Sequence, residues 1–147
     1  MRNFGKIFLL FVFALLILLS CNGHDPIEII DNHDHTRTFL FAIRGYGPEE
    51  RYAAKTSDPD LLQIIDDQLS LPESKRLLHI HGTIDWGNGG HNLNWSWHFV
   101  PDEWVLAEFS IELCDGIPSY VENDLKYWIE TVGSFCPWSS YVLTELK

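Results

Sequence analysis

Positive charge is scarce in this chain, sulfur is nearly as scarce, and no long apolar run occurs after the first twenty residues. Ten Lys and Arg face 21 Asp and Glu, a formal charge of −11 at pH 7. Such a field repels phosphate backbones, which argues against nucleic acid as a partner, and it gives anionic lipid no basic surface to hold. No Gly-x-Ser-x-Gly elbow frames Ser96, Ser110, Ser119, Ser139 or Ser140. The glycines of Trp86-Gly-Asn-Gly-Gly lack the Lys and the following helix that a phosphate loop needs. There is no internal repeat and no low-complexity segment.

What is present begins at the N-terminus. Arg2 and Lys6 precede an uncharged apolar stretch from Ile7 to Leu19, closed by Leu18-Leu19-Ser20-Cys21. A basic start, a short apolar run and a small residue before the cut are the parts of a secretory signal. Thirteen apolar residues fall short of the ~20 that a spanning helix needs. A signal anchor retained in the membrane is the alternative. Leu-Leu-Ser-Cys resembles the lipobox of bacterial lipoproteins, which implies cleavage after residue 20 and acylation of Cys21. The expected location is the bacterial cell envelope, anchored to the outer or the cytoplasmic membrane with the domain outside the cytoplasm. Residues 21–36 then read as a polar tether and 37–147 as a single domain. The clusters His24-Asp25 and His33-Asp34-His35 sit in that tether and read as solvated charge.

Removing residues 1–20 takes away two basic residues and no acid. That leaves 8 Lys and Arg against 21 acids and a formal charge of −13. With Cys21 assigned to lipid, Cys114 and Cys136 remain as a pair. Thiols oxidise outside the cytoplasm, so the two are a candidate disulfide worth about 3 kcal/mol, with two buried free thiols as the alternative.

Periodicity gives the elements. Thr38–Arg44 reads as a strand, and Ser57-Asp58-Pro59 opens a helix that Pro72 stops. Leu77–Trp86 alternates as a strand, with His79 and His81 on one parity and Leu78, Ile80 and Ile84 on the other. Trp95–Val100 and Trp104–Cys114 read as two more strands. Pro118 opens a second helix with a stripe of Val121, Leu125, Trp128, Ile129 and Val132, and Phe135–Leu146 is a last strand. The expected class is α+β: a mostly antiparallel sheet with two helices on one face, in the split-βαβ (ferredoxin-like) order β-α-β-β-β-α-β.

Two constellations suggest chemistry. His79 and His81 lie two apart on a strand and point the same way; with His98 from the neighbouring strand they make a candidate site for zinc or another divalent metal. A polar strand face explains the same residues without metal. The second is aromatic: Trp86, Trp95, Trp97 and Trp104 fall within 19 residues. An exposed cluster of this kind stacks on sugar rings or anchors a peptide, and core packing is the alternative for each ring taken singly. Trp86, Asn88, Asn94, Trp95, Trp97 and His98 are the candidate ligand surface.

A longer series of motifs carries a family resemblance. It comprises His81-Gly82-Thr83-Ile84, Asn94-Trp95-Ser96-Trp97-His98-Phe99-Val100-Pro101, Ala107-Glu108-Phe109-Ser110-Ile111-Glu112-Leu113-Cys114-Asp115, Pro118-Ser119-Tyr120-Val121-Glu122 and Phe135-Cys136-Pro137-Trp138-Ser139-Ser140. Together these resemble the N-terminal domain of a calmodulin-binding protein of lower eukaryotes, a domain that also occurs alone in secreted bacterial proteins. The resemblance spans about residues 38–143 and implies that Cys114 and Cys136 pair. It brings no catalytic residue. Calmodulin targets are basic amphipathic helices, and this acidic exported chain has none, so calmodulin is not an expected partner. The expectation is a non-catalytic, lipid-anchored binding domain, without cofactor, whose partner is an extracytoplasmic protein or glycan. The alternatives are a metal-binding protein or metal-dependent enzyme built on His79, His81 and His98, and an inhibitor or accessory subunit of another exported protein.

Overall fold

The computed structural model describes residues 35–147; the expected signal, Cys21 and the expected tether up to residue 34 lie outside the described residues. The first strand, β1 (Arg37–Ile43), buries Phe39, Phe41 and Ile43 from one side, the alternation expected of a strand with one face on a core. It pairs antiparallel with β2 (Tyr52–Thr56) and with β6 (Ser140–Leu146), in the order β2-β1-β6. A second antiparallel sheet, ordered β4-β3-β5, is built from β3 (His79–Trp86), β4 (Trp97–Ala107) and the two-residue β5 (Ser134–Phe135). Helix α1 (Pro59–Ser70) follows β2. Helix α2 (Pro118–Asn123) and a π-helical turn, Tyr127–Val132, lie between β4 and β5.

The faces of the two sheets meet in an aromatic core. Phe41 meets Trp104 edge-on with ring centroids 5.8 Å apart, and Tyr52 touches Trp97, Phe99 and Phe135. Rings of this size bury about 150–250 Å² each and gain a further ~0.5–1.5 kcal/mol per offset or edge-on pair.

Side chains of β4 and of the β3–β4 connection also bond the open edge of β2. The Trp95 indole donates to Arg51 O (2.8 Å), and the Trp104 indole donates to Lys55 O (2.9 Å). Ala53 N–H donates to Asn92 Oδ1 (2.9 Å), and Ser57 N–H donates to Asp102 Oδ1 (2.6 Å). Positions 51, 53, 55 and 57 share one edge because the strand period is two. Asn92 is buried and spends its amide nitrogen on Trp97 O (2.9 Å). Asp102 takes a positive φ of 62° in the irregular stretch where the β3–β4 register shifts between Gly82 and Ile84. Hydrogen bonds to that carboxylate, led by the Ser57 amide, hold it below the usual carboxylate range.

Asp58 caps α1 by accepting from Asp60 N (2.9 Å) and Leu61 N (3.3 Å), and Pro59 takes the first position, as read from the sequence. Leu61 and Ile65 form the helix's buried stripe. Arg37 bridges Asp66 of the helix and Glu145 of β6, each at 2.8 Å. At the other end Arg76 donates to Leu69 O and Leu71 O near the helix terminus and to Val142 O and Leu143 O of β6.

The mixed α and β character matches expectation; the arrangement differs from the one read in the sequence. Among the described residues the elements run β-β-α-β-β-α-β-β with a π turn before β5, in two three-stranded sheets and with three helical segments, apart from short 3-10 turns, where two helices were expected. β2 is new: its five residues are too few to set a pattern. The strands expected at Trp95–Val100 and Trp104–Cys114 are one strand, because the Asp102 irregularity absorbs the break in alternation. That strand stops at Ala107, and Phe109, Ile111 and Leu113 stand exposed beyond it.

Two substitutions test this framework. A Cβ on Gly82 would lie 2.6 Å from Trp104 Cα and 2.7 Å from Glu103 O. Backbone cannot yield there cheaply, so Gly82→Ala is expected to cost about 3 kcal/mol or more in urea unfolding. Asn92→Ala leaves Ala53 N–H and Trp97 O buried without partners and is expected to cost about 2–4 kcal/mol by the same measurement.

Candidate functional site

Beyond β4 the chain runs as an irregular segment, residues 108–115, laid beside the start of β3. The Cys114–Cys136 disulfide fixes it, with Cα atoms 5.1 Å apart, within the span a disulfide bridges. Cys136 N donates to Cys114 O (2.7 Å) and Trp138 N to Asp115 Oδ1 (2.9 Å), so the bridge is flanked by backbone bonds. The pair implied by the family resemblance is therefore formed.

This clamp places Ser110 against the first residues of β3. Ser110 Oγ lies 2.7 Å from His79 Nε2 and 3.0 Å from His81 Nδ1. Residues two apart on a strand project to one side, which is why a single hydroxyl reaches both rings. The hydroxyl has one proton, so with both rings neutral one imidazole accepts it and the other donates its own N–H to the oxygen. Burial pushes the His79 imidazole below its ordinary range, helped by His81 and opposed by Asp115. An open cleft of about 160 Å³ reaches this group, walled by Leu77, His79, Glu108, Phe109, Ser110 and Trp138. Phe109 is 87% exposed and Leu77 71%, and Ile111, Leu113 and Trp138 are exposed beside them. Sequence reading found the two histidines but not their partner; only the folding back of residues 108–115 joins them.

The candidate metal trio is not brought together. His98 stands opposite Asp85, six residues along β3 from His79, about 20 Å at strand rise. Its Nδ1 bonds Gly87 O (2.8 Å), and its ring meets His91 edge-on at 5.6 Å. Among the described residues no three His, Cys, Asp or Glu side chains gather as a metal site.

The candidate Trp surface also disperses. Trp97 is fully buried, and Trp95 packs against the core with its N–H spent on Arg51. Their shared parity is as expected, but the side they share faces inward, because the first sheet lies over it. Asn88 Oδ1 accepts Gly90 N inside the Gly-rich turn (2.9 Å), leaving Trp86, 48% exposed, and Asn94 at the surface. In another hollow, of about 570 Å³ beside Arg37, Pro59, Leu62 and Asp66, the Arg37 charge is already engaged by Asp66 and Glu145.

Residues 35–147 match the family described as the BP-74 N-terminal domain. The chain belongs to that family. No curated protein and no solved structure matches it. The matched span of this N-terminal domain family takes in both sheets, the disulfide and the Ser110 cluster, and it begins at the end of the expected tether.

Reducing the disulfide is expected to lower stability by about 3 kcal/mol in urea titration with and without reductant. It is also expected to make residues 108–113 the first site of limited proteolysis, since that segment has no strand partner.

Proposed function

We propose that this chain is an exported, lipid-anchored domain that docks on another exported polypeptide. The observation that carries the reading is the exposed apolar ridge of Phe109, Ile111 and Leu113, with Leu77 beside it, on a segment held rigid by a disulfide. A contiguous apolar surface on a small domain marks a contact site. Glu108, Glu112 and Asp115 alternate with the apolar residues and are themselves exposed. The complementary partner face is apolar and basic, in keeping with the −13 charge of the mature chain. Sugar stacking has less support, since Trp95 and Trp97 are turned into the core. An accessory or inhibitory role toward an exported protein fits the same ridge.

The ridge lies away from the start of the domain. Ile80 N donates to Ser140 Oγ (3.3 Å), and Ser140 pairs with Ile43. The His79 end of β3 is thus at the far end of β1 from Arg37, where the tether would join. Acylation supplies about 0.8 kcal/mol per buried methylene, enough for firm anchorage with more than one chain.

The anchor is tested by mass analysis of the envelope protein. An N-terminal Cys21 carrying diacylglycerol is expected, with Cys21→Ala accumulating as uncut precursor; an unmodified Cys21 in a mature chain would exclude it. Docking is tested by photocrosslinking from positions 109, 111 and 113 in intact cells. A discrete exported adduct is expected there and not from exposed Lys126; no adduct from any of the three would exclude it.

A second reading has one observation in its favour, the convergence of His79 and His81 on a single point. Zinc added to the metal-free domain tests it. No thermal shift, or a shift unchanged in His81→Ala, would remove it.

A further inference from the structure

Beyond docking, and against the expectation of a non-catalytic domain, we infer that Ser110 is a nucleophile for small carboxylic esters, with His79 as its general base and His81 as a hydrogen-bond donor to the reacting oxygen. The geometry points to this role in three ways. First, Ser110 Oγ and His79 Nε2 are 2.7 Å apart, within the ~2.6–3.2 Å reach of an activated nucleophile and its base. Second, a hydroxyl held between two ring nitrogens carries one proton, so it donates to one and accepts from the other. His79 Nε2 is the nearer of the two at 2.7 Å and its ring lines the cleft, which gives it the acceptor role; His81 Nδ1, at 3.0 Å, then presents an N–H to the oxygen. Third, both Ser110 and His79 open onto the cleft, whose other walls include the apolar side chains of Leu77, Phe109 and Trp138. A hydroxyl serving only to pin a loop needs no access to ligand. Here the pair lines a cleft of about 160 Å³ that Leu77, Phe109 and Trp138 wall on the apolar side and Glu108 on the polar side.

The steps balance with water as the only co-reactant. Ser110 Oγ forms a bond to the ester carbonyl carbon as its proton passes to His79 Nε2. The tetrahedral intermediate collapses, the carbon–alkoxy bond breaks, and the leaving alcohol takes the proton from His79. Water then attacks the acyl-Ser110 carbonyl, giving its proton to His79. The carbon–Oγ bond breaks, Oγ recovers the proton, and the carboxylic acid leaves. His81 N–H stays beside Oγ, holding that oxygen in place for attack and donating to it as the carbon–Oγ bond breaks in the second stage.

The direct test uses the full chain and a fluorophosphonate probe, which a serine oxygen attacks with loss of fluoride. The expected result is a single adduct that peptide mass spectrometry maps to Ser110. Labelling is expected to be slower by about 100-fold or more in His79→Gln, the scale of a lost general base. The mapping needs only the unaltered protein, so a poorly folded variant does not blunt it. No adduct at Ser110, an adduct on another serine, or labelling of a folded His79→Gln at the unaltered rate would each overturn the inference. Failure here leaves the docking surface and the anchor standing, since those rest on crosslinking and on the mass of Cys21.

Discussion

The open edge of β2 is the constraint on which the two-sheet architecture depends. A strand edge left bare in a small domain exposes or buries unpaired backbone groups, and an unmade buried bond costs about 1–3 kcal/mol. Here Trp95, Asn92, Trp104 and Asp102 reach across from the second sheet and bond Arg51, Ala53, Lys55 and Ser57. The second sheet therefore closes the first with side chains in place of another strand. This also explains the composition of the Trp-rich stretch. Phe would fill the same volume but donate nothing, so indole at positions 95 and 104 does two tasks at once. The Gly-rich turn falls into place with it: Asn92 N donates to Asn88 O (2.9 Å), and that turn delivers the Asn92 side chain to Ala53.

Elements governed by local rules were legible in the sequence. The start of α1 at Pro59, with Asp58 as cap, follows from side-chain chemistry within three residues, and the parity of β1 and β3 follows from a period of two. The disulfide was legible through cysteine arithmetic and the family resemblance. Features made by contacts between residues far apart in the chain left no periodic trace. Asn92 reads as one more turn residue until Ala53 is placed beside it, and Ser110 reads as a polar residue inside a strand pattern until the chain folds back. The Trp surface was misplaced for a related reason. Alternation says which residues share a face, and only the position of the first sheet says that this face is inside.

The disulfide segment is where the fold leaves material unspent. Phe109, Ile111 and Leu113 continue the apolar alternation of β4 past its end, yet they cover no core. Chain entropy would ordinarily loosen such a stretch. The Cys114–Cys136 bridge, the Asp115–Trp138 bond and the His79–Ser110–His81 group hold it in one conformation, so an outward apolar surface and a polar cluster are both preorganised there. The family match spans this whole assembly. The proposed docking surface and the Ser110 cluster thus share one segment, and the Trp-rich hairpin packs largely into the core.

Amide hydrogen exchange at Ala53 and Ser57 tests the edge closure most directly. If side chains of the second sheet close β2, both amides exchange as slowly as those of β1, with opening free energies near that of global unfolding. Exchange of Ala53 and Ser57 at the rate of an exposed edge strand, with β1 still protected, would contradict the account.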